Sequence, residues 1–285
     1  MGRRDSRIAK PDLLEQGHNH ESDHTTGAGQ KRAAMRDQTW REFLHKGMRV
    51  GGMRGAGMIG YGLKIAVIDT GINASHPHIF APIHPVIFDP EETNPSYEDV
   101  LGHGTAVTAA IQERAPYADY YILKLFGNTL RTTSNRLIRA IDWTVEHEMD
   151  IVNLSLGSPN FDYRPVLETL VSRATTAGVL LVAARYSEHT PVLPGMLDDV
   201  ISVDVDWNLS RDEYRVSRVG GAPIFCASGF PRPLPGVPVA RNLSGISFAV
   251  ANMTGFVARA CQDLQERSVE KLISALTVER QLSIP

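Results

Sequence analysis

The stretch that decides the fold is Leu63-Lys64-Ile65-Ala66-Val67-Ile68-Asp69-Thr70-Gly71. Its short apolar run is typical of a buried β-strand, and the Asp-Thr-Gly turn ends it. In α/β proteins, binding and catalytic groups lie beyond the carboxyl ends of such strands. We therefore treat Asp69 as a candidate functional residue at the edge of a sheet.

Short apolar runs alternate with helical patterns along the rest of the chain. Strands are predicted at residues 120–124, 151–154, 179–184 and 200–205. Helices are predicted at residues 104–113, 135–148, 165–177, 247–265 and 269–276. This alternation predicts an α/β fold, a three-layer αβα sandwich with a mainly parallel central sheet.

Composition excludes several classes of protein. The chain has 285 residues, a formal net charge of −3 and 42% hydrophobic residues, which is enough to bury a sizeable core. It contains no apolar run of the roughly 20 residues that a membrane helix needs, and no basic excess of the kind that marks a nucleic-acid binder. Cys226 and Cys261 are its two cysteines, too few for a disulfide scaffold or a cysteine-rich metal site.

The charge is unevenly distributed between two predicted regions. Residues 1–60 carry 11 Lys and Arg against 7 Asp and Glu, whereas acidic residues are in excess in the remainder. We expect residues 1–61 to be a basic, Gly-rich, disordered tail and linker with a short helix at 39–48, and residues 62–285 to be the catalytic domain. A tail that inhibits the cleft is the alternative. The start of the chain lacks a secretory signal, so we expect a cytoplasmic protein.

Two further motifs carry candidate chemistry. Gly102-His103-Gly104-Thr105 places a histidine at the first turn of a predicted helix. Ser244-Gly245-Ile246-Ser247 places a serine at a helix N-terminus, where backbone N–H groups can stabilise an oxyanion. Each motif alone is weak, because an aspartate after a strand or a serine before a helix is more often a cap. The order Asp, His, Ser along the chain makes the combination informative.

These motifs, together with Val152-Asn153-Leu154-Ser155-Leu156-Gly157, resemble those of the subtilisin-like serine proteases, the subtilases. The resemblance covers about residues 62–265 and implies a subtilisin-like fold. It also implies a serine endopeptidase in which Ser247 attacks the peptide bond, His103 is the general base and Asp69 orients the histidine. A peptide or protein is then the expected substrate, hydrolysed through an acyl-enzyme. Because a cytoplasmic location is expected, we interpret the enzyme as a selective intracellular processing protease that acts on a particular precursor or leader peptide.

The resemblance also implies where a peptide binds. The backbone of Ser155, Leu156 and Gly157 is expected to pair with an extended substrate in the manner of an added strand. Ala183 and Ala184 are expected to form another wall of the same cleft.

One part of the sequence departs from the family. Subtilases usually place an Asn that donates to the oxyanion just after the strand that here ends in Ala183-Ala184-Arg185-Tyr186-Ser187-Glu188-His189. Ser247 N–H would be one donor, and counting without gaps makes Ser187 the candidate for the other. Arg185, Tyr186 or His189 are alternatives, as is a loop with no donor role. Loss of a donor costs about a hundred- to a thousandfold in rate. The alternative function is therefore a pseudoprotease that binds peptides.

No cofactor or metal is required by these motifs. Calcium is left open, because some carboxylates cluster in the sequence: Asp198, Asp199, Asp204 and Asp206. A histidine cluster at His18, His20 and His24 is interpreted as adventitious in a flexible tail. The proline-dense residues 231–238 are interpreted as a rigid surface loop. Neither a nucleic-acid nor a membrane partner is expected, and the oligomeric state is not predicted.

Overall fold

The fold is built on a mainly parallel sheet. The computed structural model describes residues 58–88, 96–127, 129–264 and 268–281. Eight strands form the central sheet: β1 (Lys64–Asp69), β2 (Ile83–Val86), β3 (Asp119–Lys124), β4 (Ile151–Leu154), β5 (Leu180–Ala184), β8 (Ile201–Val205), β9 (Tyr214–Val219) and β10 (Ala222–Ala227). Their order is β2-β3-β1-β4-β5-β8-β10-β9, and only the β10–β9 pair is antiparallel within this described sheet.

Helices cover both faces of the sheet. They are α1 (His103–Gln112), α2 (Ser134–Glu146), α3 (Arg164–Thr176), α4 (Ile246–Asp263) and α5 (Val269–Gln281). One core joins the sheet to α1, α4 and α5, and a second core joins it to α2 and α3. The predicted α/β class and three-layer arrangement are confirmed.

Strand β1 shows why the sheet needs both layers. Ile65 and Val67 belong to the core on the α4 side, whereas Ala66 and Ile68 belong to the core on the α2 side. Successive side chains of a strand point to opposite faces, so a continuous apolar run can be stable only when both faces are covered. The uninterrupted apolar sequence of β1 therefore requires a layer of helices on each face of the sheet.

Local signals set the helix ends close to their predicted positions. The side chain of Thr133 accepts a hydrogen bond from Arg136 N at 3.2 Å and caps the start of α2. Helix α3 ends just before Gly178, which adopts a φ of 77° that a glycine tolerates at a helix end. The amphipathic patterns thus predicted the ends of α2 and α3 to within two residues.

Three strands of the sheet and one separate hairpin were not among the predicted strands. These are β2, β9, β10 and a separate two-stranded hairpin made of β6 (Tyr186–Ser187) and β7 (Thr190–Pro191). Strand β2 is partly exposed and contains a proline, and β9 is an edge strand with mostly accessible side chains. Such strands lack the buried apolar run that the prediction used. Cys226 on β10 and Cys261 on α4 are buried free thiols.

The predicted tail falls almost entirely outside the described residues, together with the predicted helix at 39–48 and the histidines at 18, 20 and 24. Its last four residues are described and contact the catalytic body, since Tyr117 N donates to Ile59 O at 3.1 Å and Gly60 N to Gln262 Oε1 at 3.1 Å. The body therefore includes residues 58–61. None of the helices in the described ranges has the length and apolarity to cross a membrane.

Candidate active site

Asp69 and His103 meet at the carboxyl end of β1. Asp69 is the last residue of β1 and is fully buried, and His103 is the first residue of α1. His103 Nδ1 lies 2.7 Å from Asp69 Oδ1, which also accepts a hydrogen bond from Thr70 N at 2.8 Å. The carboxylate can therefore fix both the tautomer and the orientation of the imidazole ring.

The surroundings favour the protonated form of His103. Burial of the ring opposes its positive charge, but the hydrogen bond and charge of Asp69, with a further contribution from Asp99, outweigh burial and raise the pKa of His103 above its ordinary 6.5. The ring must lose this proton before it can act as a base. Base function at this position is therefore expected to be lost as the pH falls.

Asp99 connects the aspartate and histidine motifs, although no motif in the sequence identified it as a functional residue. Its Oδ1 accepts hydrogen bonds from Thr70 Oγ1 at 2.7 Å and Gly102 N at 2.8 Å. Its Oδ2 accepts from Thr105 N at 2.8 Å and from Thr105 Oγ1 at 2.6 Å. The carboxylate thus holds the loop before α1, the first turn of α1 and the residue after Asp69 in one arrangement. The signal in the sequence that could have identified Asp99 was its position, three residues before Gly102.

A glycine allows the two motifs to approach this closely. A side chain on Gly104 would place its Cβ 2.4 Å from Gly71 O, which is too close for any residue other than glycine. Gly104 N donates instead to Thr70 Oγ1 at 2.8 Å. The Gly after His103 is therefore required by packing of α1 directly on the Asp-Thr-Gly turn.

Ser247 lies in the first turn of α4, after Gly245. Its Oγ donates to Ser155 O at 3.1 Å, and Ser155 Oγ donates to Ser247 O at 3.4 Å. The neighbouring Phe248 ring is 5.5 Å from the His103 ring, centroid to centroid. Within the described residues, no hydrogen bond joins Ser247 Oγ to His103. The structure brings the serine to the end of β4 and next to the histidine's helix, with its hydroxyl turned to Ser155.

The predicted peptide-binding residues divide into two groups. Ser155, Leu156 and Gly157 follow β4 directly, and a buried network holds the first of them: Asn153 Nδ2 donates to Ser155 Oγ at 2.8 Å. Leu156 and Gly157 are partly accessible. A Cβ on Gly157 would lie 2.6 Å from Val192 Cγ2, so only glycine fits there. Leu156 and Gly157 are thus partly accessible residues directly after Ser155, which contacts Ser247.

Ala183 and Ala184 do not form an accessible wall. Both side chains are buried, at 0% and 1% exposure, and they point into the two opposite cores. Their side chains therefore do not face the peptide cleft, and a contribution of their backbone to substrate binding stays a prediction. They are consecutive residues of a central strand, and both faces of that strand are covered by helices.

The segment expected to supply the second oxyanion donor forms the exposed β6–β7 hairpin, residues 186–191. Ser187 pairs with Thr190, and the turn residues Glu188 and His189 have φ values of 46° and 70°. The side chains at 186–190 are all exposed. Ser187 therefore lies on a surface hairpin, and its role as the donor stays a prediction.

Arg185, just before the hairpin, has a different environment. Its Nε lies 3.4 Å from Met196 Sδ, and its guanidinium carbon lies 5.5 Å from the centre of the Tyr186 ring. Its Nη1 is buried without a hydrogen-bond partner in the described part of the chain. Among the alternatives proposed for the oxyanion donor, Arg185 is the one with an unused buried N–H group.

The acidic residues considered for calcium do not form a ligand cluster. In the ranges that the structure describes, no group of three or more His, Cys, Asp or Glu residues is placed to hold a metal ion. Asp206 instead pairs with Arg215 at 2.7 Å. Burial raises the pKa of Asp204, and the positive charge of Arg185 partly counteracts this.

Comparisons with known proteins point to one family. The sequence pattern described as the subtilase family matches residues 60–201, which include Asp69 and His103. Subtilisin BL of Lederbergia lenta is 32% identical over 210 residues, covering 70% of this chain and 72% of the relative. Subtilisin E of Bacillus subtilis (strain 168) is 33% identical over 213 residues, covering 70% of this chain and 53% of the relative. The chain thus spans about half the length of the latter.

The fold has solved counterparts. A crystal structure of a lanthipeptide protease superposes with a TM-score of 0.58 at 17% sequence identity, over 75% of this chain and 78% of that chain. At this identity the likeness concerns the fold alone. It agrees with the α/β fold described above.

Proposed function

Because the chain belongs to the subtilase family, we propose that it is a serine endopeptidase in which Asp69, His103 and Ser247 act as a catalytic triad. The observation that carries this proposal is the 2.7 Å contact between His103 Nδ1 and Asp69 Oδ1, at the edge of the sheet near the first turn of α4, which contains Ser247. Asp69 holds the proton on Nδ1, which leaves Nε2 free to accept the proton of Ser247.

Attack requires a small rearrangement of the serine. In the resting arrangement Ser247 Oγ donates to Ser155 O at 3.1 Å. Rotation about the Ser247 side chain transfers this hydrogen bond to His103 Nε2, and such contacts often tighten only when substrate binds. Oγ then attacks the scissile carbonyl while the proton moves to Nε2, and the charged imidazole is stabilised by Asp69.

The negative charge that forms on the carbonyl oxygen needs donors. Ser247 N–H is in the first turn of α4, where backbone N–H groups have no partner within the helix and the helix dipole favours negative charge. The second donor is proposed to come from Ser187, with Arg185 as the alternative. Collapse of the intermediate passes the proton from Nε2 to the leaving amine, and water then cleaves the acyl-enzyme by the same steps.

A serine-reactive fluorophosphonate probe tests the triad. We expect the probe to label the wild-type protein, and labelling to be abolished in Ser247→Ala. Ser172→Ala, an exposed serine on α3, is the matched control and should be labelled like the wild type. A folded wild-type protein that stays unlabelled across pH would contradict the proposal and favour a peptide-binding pseudoprotease.

We further propose that the substrate is a selected precursor or leader peptide and that cleavage occurs in the cytoplasm. The fold is shared with a structure titled as a lanthipeptide protease, so it is compatible with this substrate class. Digestion of a proteome-derived peptide library, read by mass spectrometry, should then give few cleaved sites with a shared sequence. Cleavage at many unrelated sites would favour a degradative enzyme instead.

A further inference from the structure

A cleft with basic walls lies beside the proposed triad. Its volume is about 380 Å³, and its basic wall is formed by His76, His78, Arg232 and Arg241. We call it the basic cleft. Arg232 and Arg241 belong to the proline-dense loop and the short helix that follows it, whereas the two histidines follow the Asp-Thr-Gly turn. A cleft of this size is large enough to hold a side chain or a small group of atoms.

The two arginines have no acidic partner. In the described parts of the chain, neither guanidinium takes part in an ion pair or a hydrogen bond; Arg232 only stacks on Phe80, 6.0 Å from the ring centre. By contrast Arg211, whose charge also acts on His78, is paired with Glu113. Two unpaired guanidinium groups that face one cleft are typical of a site for carboxylate or phosphate.

The two histidines lie in the same positively charged environment as the arginines. Burial lowers the pKa of His78, and the positive charges of Arg232, His76 and Arg211 lower it further, with Glu113 opposing. His76 Nδ1 accepts a hydrogen bond from His78 N at 3.2 Å, so the other ring nitrogen of neutral His76 carries the N–H. The histidines can therefore donate to an anion without being charged.

The one acidic residue that lines the basic cleft is already used. Asp99 accepts four hydrogen bonds from Thr70, Gly102 and Thr105, as described above. Both carboxylate oxygens are therefore held by neutral donors, and Asp99 forms no ion pair with Arg232 or Arg241 in the described residues. The first turn of α1 also borders the cleft, and its dipole adds to the positive potential there.

The position of the basic cleft relative to the triad suggests its ligand. Gly102 and Thr105, on either side of His103, line it, as do Asn242 and Leu243 just before the serine motif. Residues 155–157, which are proposed to pair with the peptide before the scissile bond, do not line it. The basic cleft is therefore bordered by residues next to the histidine and just before the serine, and not by the segment proposed to pair with the peptide before the scissile bond.

We propose that the basic cleft binds a carboxylate of the substrate on the leaving-group side of the scissile bond, with Arg232 and Arg241 as specificity-determining residues. The proposal rests on the proposed endopeptidase function and specifies its substrate. The carboxylate can come from an Asp or Glu side chain or from the C-terminus of a short leaving peptide. Both sources present the same anion to the guanidinium groups.

Peptide kinetics distinguish these sources. The starting point is a peptide that the protein cleaves. In one series, each of the first five positions after the cleaved bond is replaced by Glu or by Gln. Each peptide is tested both with a free C-terminal carboxylate and as the C-terminal amide. We expect kcat/KM to rise about tenfold for Glu over Gln at one position, or for the acid over the amide at one length. The preference should disappear in the R232Q/R241Q double variant.

The control is Arg218→Gln, an exposed arginine on β9 that removes the same charge away from the basic cleft. It should keep the full preference. A cleaved series without a preference for the carboxylate, or a preference that persists in R232Q/R241Q, overturns the proposal while leaving the endopeptidase function intact.

A binding measurement separates this proposal from catalysis. Titration calorimetry of Ser247→Ala with tetraglutamate at low salt should detect binding that tetraglutamine lacks. R232Q/R241Q introduced into the same background should weaken tetraglutamate binding by about tenfold. Absence of binding in Ser247→Ala, or equal binding in the triple variant, overturns the basic cleft as an anion site. Failure of fluorophosphonate labelling would instead contradict the endopeptidase function.

Discussion

The two sides of the proposed active site are built differently. On one side, Asp69, His103 and Asp99 are tied together by short hydrogen bonds, and α1 packs directly on the Asp-Thr-Gly turn. On the other side, the β6–β7 hairpin is exposed, has two non-glycine residues with positive φ, and follows an arginine with an unused buried N–H group.

The contrast follows the sequence. The first side consists of motifs that match the subtilases, and its geometry leaves little freedom: Gly104 cannot become any larger residue. The second side is where the sequence departs from the family and lacks the usual Asn. The hydrogen bonds on the first side therefore fix the orientation of the His103 ring. Stabilisation of the oxyanion, in contrast, requires a donor other than the usual Asn in this chain.

The largest expected effect comes from breaking the first side. Asp69→Asn should lower kcat by about 10⁴-fold, because an amide can donate to His103 Nδ1 and so shift the proton to Nε2, where it blocks base catalysis. Peptide hydrolysis at saturating substrate measures this, and thermal unfolding checks the fold. Asp119→Asn, a partly exposed acid that pairs with His84, is the control and should keep its activity. A loss of less than tenfold would remove Asp69 from the triad.

A smaller effect is expected on the second side. If Ser187 donates to the oxyanion, Ser187→Ala should lower kcat by about 10- to 100-fold with little change in KM, and Ser187→Asn should keep or raise kcat. Steady-state kinetics of both variants measure this. An unchanged kcat in Ser187→Ala, together with a large loss in Arg185→Gln, would transfer the donor role to Arg185.

Asp99 provides a test of the electrostatics of the first side. Asp99 helps to raise the pKa of His103, so Asp99→Asn should lower that pKa. His103 acts as a base only when neutral, so the acid limb of the kcat/KM profile should move to lower pH. The amide also cannot accept all four hydrogen bonds, which should reduce the free energy of unfolding by about 1–3 kcal/mol. A limb that stays in place would show that Asp99 is only structural.

The sequence predicted the parts of the fold that depend on local patterns. Strand β1 and helix α3 followed from a buried apolar run and from an amphipathic repeat that ends at a glycine. Asp99 could not be recognised, because its role depends on Thr70, which is 29 residues away in the chain. The burial of Ala183 and Ala184 in opposite cores follows from layers on both sides of β5, and the motif match alone did not contain this information.

The smallest expected effect concerns the backbone of the hairpin. Glu188 and His189 form a two-residue turn with φ of 46° and 70°, a conformation for which Asn-Gly is preferred. The double variant E188N/H189G should therefore raise the free energy of unfolding by about 1 kcal/mol, or 2–4 °C in Tm. Thermal denaturation measures this change.

Glu148 provides a control for E188N/H189G, because it is another non-glycine residue with a positive φ. Glu148, which lies just after α2, also has a positive φ, of 52°, and Glu148→Gly should stabilise the protein by a few tenths of a kcal/mol without changing kcat. If E188N/H189G likewise leaves kcat unchanged, the strain in the hairpin is incidental and His189 is excluded as an oxyanion donor. If kcat falls while stability rises, the turn side chains contribute to the reaction, and the strained hairpin is the part of the site that replaces the missing Asn.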